Sequence, residues 1–252
     1  MNNFRVTISG IDESVSFVEL RNLWEQYPFV EWGILYSAKS AGRKMRYPGF
    51  ETVRLFSNML QTCSSLHLCG DFALAVSTYH DLELFRGLTS VLPTQRVQVN
   101  GWMSGDLIPT THGKKTILQV GECTTEVIEE LERFAERQLR YEGELPHVLL
   151  DPSGGRGQPT ERWTSRETLQ RLDQCTGLVG FAGGIGPHNV GDVLERLLSV
   201  MDGKPFWIDM ETHVRKYKTH YGMDGVGRED LGLDLAAVEK VLETASRFRS
   251  RS

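Results

Sequence analysis

Eight short runs of apolar and β-branched residues recur along this chain, and most are separated by segments with the periodicity of an amphipathic helix. The runs are FRVTISGI (4–11), VEWGILYS (30–37), SLHLCGD (65–71), RVQVNGW (96–102), TILQVGE (116–122), HVLLD (147–151), LVGFAGG (178–184) and FWIDME (206–211). Near-continuous apolarity of this kind marks strands covered on both faces, which is the condition of a parallel sheet. Strands alternating with helices connect by right-handed crossovers, and eight such units allow the sheet to close on itself. The pattern predicts an α/β fold, a (β/α)8 TIM barrel with parallel strands; a doubly wound open sheet is the competing arrangement. The link MSGDLIPTTHGKK (103–115) is rich in Gly, Pro and Thr, which predicts one missing outer helix between strands 4 and 5.

The length of 252 residues suits one such barrel, and no linker-like stretch precedes the short basic tail RFRSRS, so residues 1–252 read as a single domain. A net charge of −5 offers nucleic acid no general attraction. No apolar run is long enough to span a bilayer, and the first residues carry no signal-type core, so no membrane partner is expected. Four cysteines (Cys63, Cys69, Cys123, Cys175) lack C-x-x-C spacing, which fits core positions in a reducing, cytoplasmic setting.

In a barrel of this kind the chemistry collects at the C-terminal ends of the strands. Those ends supply Ser9, Ser37 with Lys39, Cys69 with Asp71, Asn100, Glu122, Asp151, Gly183 with Gly184, and Asp209 with Glu211. Paired glycines let a backbone approach a ligand closely, and the N–H groups opening the next helix suit an anion. Gly183 and Gly184 are therefore candidates for holding a phosphate; the alternative is a tight strand-to-helix turn with Pro187 opening the helix. The GGRG stretch at 154–157 lacks the lysine of a nucleotide-binding P-loop.

These same stretches resemble phosphoribosylanthranilate isomerase. FAGGIGPHNV is similar to that family's LAGGLNPENV, VLLDPSGGRGQ to its LLD strand followed by a GGTG loop, and WIDMETHV to its VDVSSGVE. ILYSAKSAGRKMRYPGFE resembles its FYEKSPRYV region, and VTISGI sits where the family has VKICGI. The resemblance implies an isomerase that turns an aminoaldose phosphate into an aminoketose phosphate, without an organic cofactor or metal. It implies that Asp151 is the general acid, which requires a raised pKa, and that Arg46 orients a substrate carboxylate, with Arg43 as a substitute. The expected partner is a small phosphorylated substrate, with a homodimer left open.

Two departures from the family pattern stand out. Its catalytic cysteine is replaced by Ser9, a far poorer base than a thiolate, with nothing nearby in sequence to activate it. Its SSG phosphate turn reads Glu211, Thr212, His213, which places a carboxylate beside Asp209 where a phosphate ought to approach unless a cation or a proton intervenes. Two other functions therefore compete. One is a metal-assisted epimerase or aldolase using His67, Asp71, Glu122, Asp151, Asp209 and Glu211, although His67 reads more simply as a core histidine. The other is a non-catalytic barrel binding a phosphorylated ligand or a partner, with the stretch 213–234 as a lid, a partner surface or a solvated connection.

Overall fold

The computed structural model describes residues 3–37, 40–60, 64–68, 87, 89–99, 113–153, 165–222 and 225–250. Eight strands form a closed barrel in sequential order: β1 (Phe4–Ser9), β2 (Val30–Tyr36), β3 (Ser64–Leu68), β4 (Arg96–Val99), β5 (Lys115–Val120), β6 (His147–Leu150), β7 (Val179–Phe181) and β8 (Phe206–Met210). All neighbours are parallel, and β1 closes the ring on β8 with Thr7 opposite Asp209. Closure excludes the open sheet.

Among the described residues the outer layer comprises α1 (Phe17–Gln26), α2 (Phe50–Leu60), α3 (Thr125–Glu142), α4 (Arg166–Cys175), α5 (Val190–Met201) and α6 (Leu235–Ser250). A Ser16–Glu19 capping box starts α1, and Thr124 and Ser165 cap α3 and α4 through their side chains. None of these helices is long and apolar enough to cross a membrane. The expected helix after β3 and the helix-poor link after β4 fall almost wholly on 69–86 and 100–112, outside the described residues.

Strand alternation sorts the side chains. Phe4, Val6 and Ile8 of β1 are fully buried against the helical layer, while Thr7 and Ser9 point inward. The interior is divided by chemistry. On one side Ile117, Leu149, Ala182 and Trp207 form an apolar cluster. On the other, the Glu31 carboxylate accepts from Arg96 Nε at 2.8 Å, from Arg96 Nη2, and from Thr7 Oγ1 at 3.0 Å. Burial alone would raise the Glu31 carboxyl, but Arg96 and Thr7 hold it below its ordinary value. The Arg96 guanidinium also lies 4.5 Å from the centre of the Trp207 ring, joining the two halves.

The stretch 213–234, expected to be a loop, is instead mostly an antiparallel hairpin of β9 (Arg215–Gly222) and β10 (Gly225–Leu233), entered through a 3-10 turn at Thr212–Val214. A buried ion pair from Arg215 to Asp12 fastens it to the barrel. Arg215 donates to Asp12 Oδ2 at 2.5 Å, to Asp230 at 2.9 Å and to the Gly10 carbonyl.

Candidate active site

An open cavity sits at the C-terminal ends of the strands, lined by Ser9, His67, Gln98, Gln119, Asp151, Gly183–Ile185 and Asp209–His213. It brings together Ser9, Asp151, Gly183, Gly184, Asp209 and Glu211 from the strand ends singled out above.

Closure of β1 on β8 places the Ser9 hydroxyl so that it donates to Asp209 Oδ1 at 2.6 Å. His67 Nδ1 lies 3.4 Å from the same hydroxyl oxygen, and its Nε2 lies 2.9 Å from Ser65 Oγ. One donor sense satisfies this chain: Ser65 donates to Nε2, Nδ1–H to Ser9, and Ser9 to Asp209. Burial lowers the His67 imidazole to about 4, so it is a neutral core histidine. Its 4.0 Å approach to Asp209 Oδ2 is therefore not an ion pair.

Asp209 is strongly altered by its position. Burial pushes its carboxyl from an ordinary 3.8 up to about 7; the Ser9 bond pulls the other way, and the Glu211, Asp151 and Glu31 carboxylates push it further up. A group poised there exchanges its proton readily near neutral pH. The sequence marked Asp209 as a strand-end carboxylate but gave no sign of this shift, which burial inside the closed barrel causes and the bond from Ser9, 200 positions away, only partly offsets.

Asp151, immediately after β6, is buried and held by donors from Ser153 and Gln119. Ser153 donates to Oδ1 through both its backbone N–H, at 3.1 Å, and its hydroxyl, at 2.6 Å, while Gln119 Nε2 donates to Oδ2 at 2.6 Å. Gln119 was not among the sequence candidates, although its inward position on β5 could be read from alternation; Ser153 follows from the Asp-Pro-Ser turn pattern.

Gly183 and Gly184 take φ values of 105° and 64°, a region costly for other residues, so the bend at the end of β7 depends on them. The turn then continues through Gly186, whose N–H donates to Asn189 Oδ1 at 2.9 Å, and α5 begins only at Val190. The cavity is bordered by Ala182–Ile185 rather than by the first turn of α5. Any anion held here would meet the peptide backbone of the turn itself, not the helix terminus.

Arg46 does not line the described part of the cavity. Its guanidinium donates to Glu211 Oε1 at 2.6 Å, to Asp230 Oδ2 at 3.2 Å and to the Tyr217 hydroxyl at 2.9 Å. Arg46 is thus the cation that meets the carboxylate of Glu211. Burial still raises the Glu211 carboxyl, against the pull of Arg46 and Arg215. Asp230, from the hairpin, is shared by both arginines, which hold it below its ordinary value despite its burial.

Of the remaining strand-end residues, Ser37 caps the following turn through Ser40 N at 3.3 Å, and Glu122 is exposed and outside the cavity. Lys39, Cys69, Asp71, Asn100 and the 154–157 loop lie outside the described residues. Among the described residues no three His, Cys, Asp or Glu side chains are grouped to hold a metal.

The arrangement was compared with known proteins. The chain is similar to a phosphoribosylanthranilate isomerase of Thermotoga maritima, solved as monomers generated from the dimeric enzyme, with a TM-score of 0.56, 16% identity, and 97% of this chain and 99% of that chain covered. A phosphoribosylanthranilate isomerase in complex with reduced 1-(o-carboxyphenylamino)-1-deoxyribulose 5-phosphate is similar over 97% of this chain and 99% of that chain, with a TM-score of 0.52 and 17% identity. At such identities the likeness establishes a shared fold, the closed parallel eight-stranded barrel. No family model and no curated protein matches the sequence.

Proposed function

We propose that this barrel is an acid/base isomerase of a small phosphorylated sugar or nucleotide-like substrate, with Asp151 and Asp209 moving the proton and the Gly183–Gly184 turn receiving the phosphate. The observation that carries this reading is the buried Asp209 carboxyl, raised to about 7 and bonded to Ser9 in the cavity it shares with Asp151. Two carboxyl groups held in unlike environments divide naturally into a donor and an acceptor. The environments favour the reverse of the roles that sequence resemblance implies. Asp209 holds the proton and gives it to the ring oxygen of an aldose derivative, which opens the ring; Asp151, anchored by Gln119 and Ser153, takes the proton from C2 of the open form. The resulting enol or enamine then takes a proton at C1 from Asp151 while its C2 hydroxyl returns a proton to Asp209, and it becomes the ketose derivative. Ser9 serves Asp209 as a hydrogen-bond partner and is not itself the base. The phosphate in the ligand of the solved isomerase complex supports the choice of substrate class.

The test is to incubate the protein in heavy water with phosphoribosylanthranilate and a panel of aldose 5-phosphates, following C2–H loss by proton NMR. Exchange or isomerisation of one of them, abolished by Asp151→Asn and by Asp209→Asn, is expected. No exchange with any of them at high enzyme concentration overturns the proposal.

A further inference from the structure

A dianionic ester bound in this cavity is held more firmly where a side-chain donor adds to the backbone N–H groups. Among the described residues lining the cavity the basic side chains are His67 and His213. His67 is held neutral by burial, and Arg46 is committed to Glu211 and Asp230. His213 stands on the 3-10 turn after β8 and borders the same cavity as Gly183 and Gly184. Its ring meets that of His188, from the turn after β7, edge to face at 4.9 Å and 65°. The two turns touch closely: a Cβ on Gly186 would lie 2.5 Å from the His213 Cβ, so glycine there is what admits His213 to the rim.

We propose that His213, steadied by His188, is the residue that selects a phosphate-bearing ligand, its ring N–H donating to a dianion seated on the Gly183–Ile185 backbone. Glu211, two residues away, is the carboxylate that would otherwise repel this ligand, and Arg46 occupies it from the far side. The selectivity follows from charge: a sugar without a phosphate gains nothing from His213. The inference deepens the function proposed above and rests on its phosphate site.

Inorganic phosphate titrated against 15N-labelled protein tests it, with the amide resonances of Gly183, Gly184 and Ile185 as the probe. In the wild-type protein these amides are expected to shift on saturation. His213→Gln should weaken that binding about 10- to 100-fold, the usual worth of a hydrogen bond to a charged group, without lowering the melting temperature. His213→Lys should keep binding within a few fold of wild type, which restoration of packing alone would not achieve. Unchanged affinity in His213→Gln overturns the role of His213 and leaves the phosphate site standing. No response of these amides in the wild-type protein overturns both.

Discussion

The hydroxyl of Ser9, on the first strand, is bonded at 2.6 Å to the carboxyl of Asp209, on the eighth. That contact exists because the barrel closes there. Closure buries the carboxyl, which makes its ionisation costly, and the serine hydroxyl offsets part of that cost.

Stability should register this cost. Asp209 titrates at about 7 in the folded protein against an ordinary 3.8, so between these values the folded chain holds a proton that the unfolded chain has released. Stability must then fall as pH rises through that window and level off above it. Asp209→Asn removes the dependence, and at pH 8 the variant is expected to be more stable than wild type, by at most about 4 kcal/mol for a shift of about three units. Urea denaturation of both proteins from pH 4 to pH 8 measures it; parallel curves would show that Asp209 does not titrate in this range.

Ser153 supplies two of the donors that hold Asp151, beside Gln119. Ser153→Ala keeps the backbone bond and loses the hydroxyl. If Asp151 takes the substrate proton, kcat should fall about tenfold, the worth of one such hydrogen bond, with little change in KM. An unaltered kcat would remove Ser153 from the positioning of Asp151.

Gly33 makes room beneath the site. A Cβ at this position on β2 would stand 2.5 Å from Ser9 Oγ, 2.9 Å from Ser9 Cα and 3.0 Å from His67 Nε2. Gly33→Ala is expected to lower stability by about 1–3 kcal/mol, as overpacking of a core does, and to disturb the Ser9–Asp209 bond. A variant as stable as wild type, with unchanged site resonances, would contradict the packing described here.

Arg215 fixes the hairpin to the barrel from a fully buried position, paired with an equally buried Asp12. Arg215→Met leaves that carboxylate without its cation, and a loss of about 3–5 kcal/mol is expected. Proteolysis within 215–233 should quicken in parallel. A small loss would mean that the hairpin is held by other contacts.

The eight strands were legible because a parallel barrel covers both faces of each strand and so writes continuous apolar runs into the sequence. The glycine pair after β7 was equally plain, and the helix read over NVGDVLERLLSVM starts at Val190, after a further turn. The hairpin was harder to read. Its Asp224–Gly225 turn signal lies in KYKTHYGMDGVGRED, whose alternation is charged and tyrosine-rich rather than apolar, since both faces are largely exposed and ion pairs replace a hydrophobic face. Arg46 was chosen for its affinity for a carboxylate and does meet two, both from this chain, because Asp230 lies 184 positions away on the hairpin. Register between distant strands decides such partners, and a single sequence does not carry it. The same holds for Asp209, whose burial and whose bond to Ser9 follow from the closing register that sets it opposite Thr7.

The central claim is that Asp209 holds an exchangeable proton near neutral pH. Carbon-13 NMR of aspartate-labelled protein, with Asp209→Asn to assign the resonance, measures its carboxyl titration directly. A midpoint close to 7 is predicted. A midpoint near the ordinary aspartate value of about 4 would contradict the account.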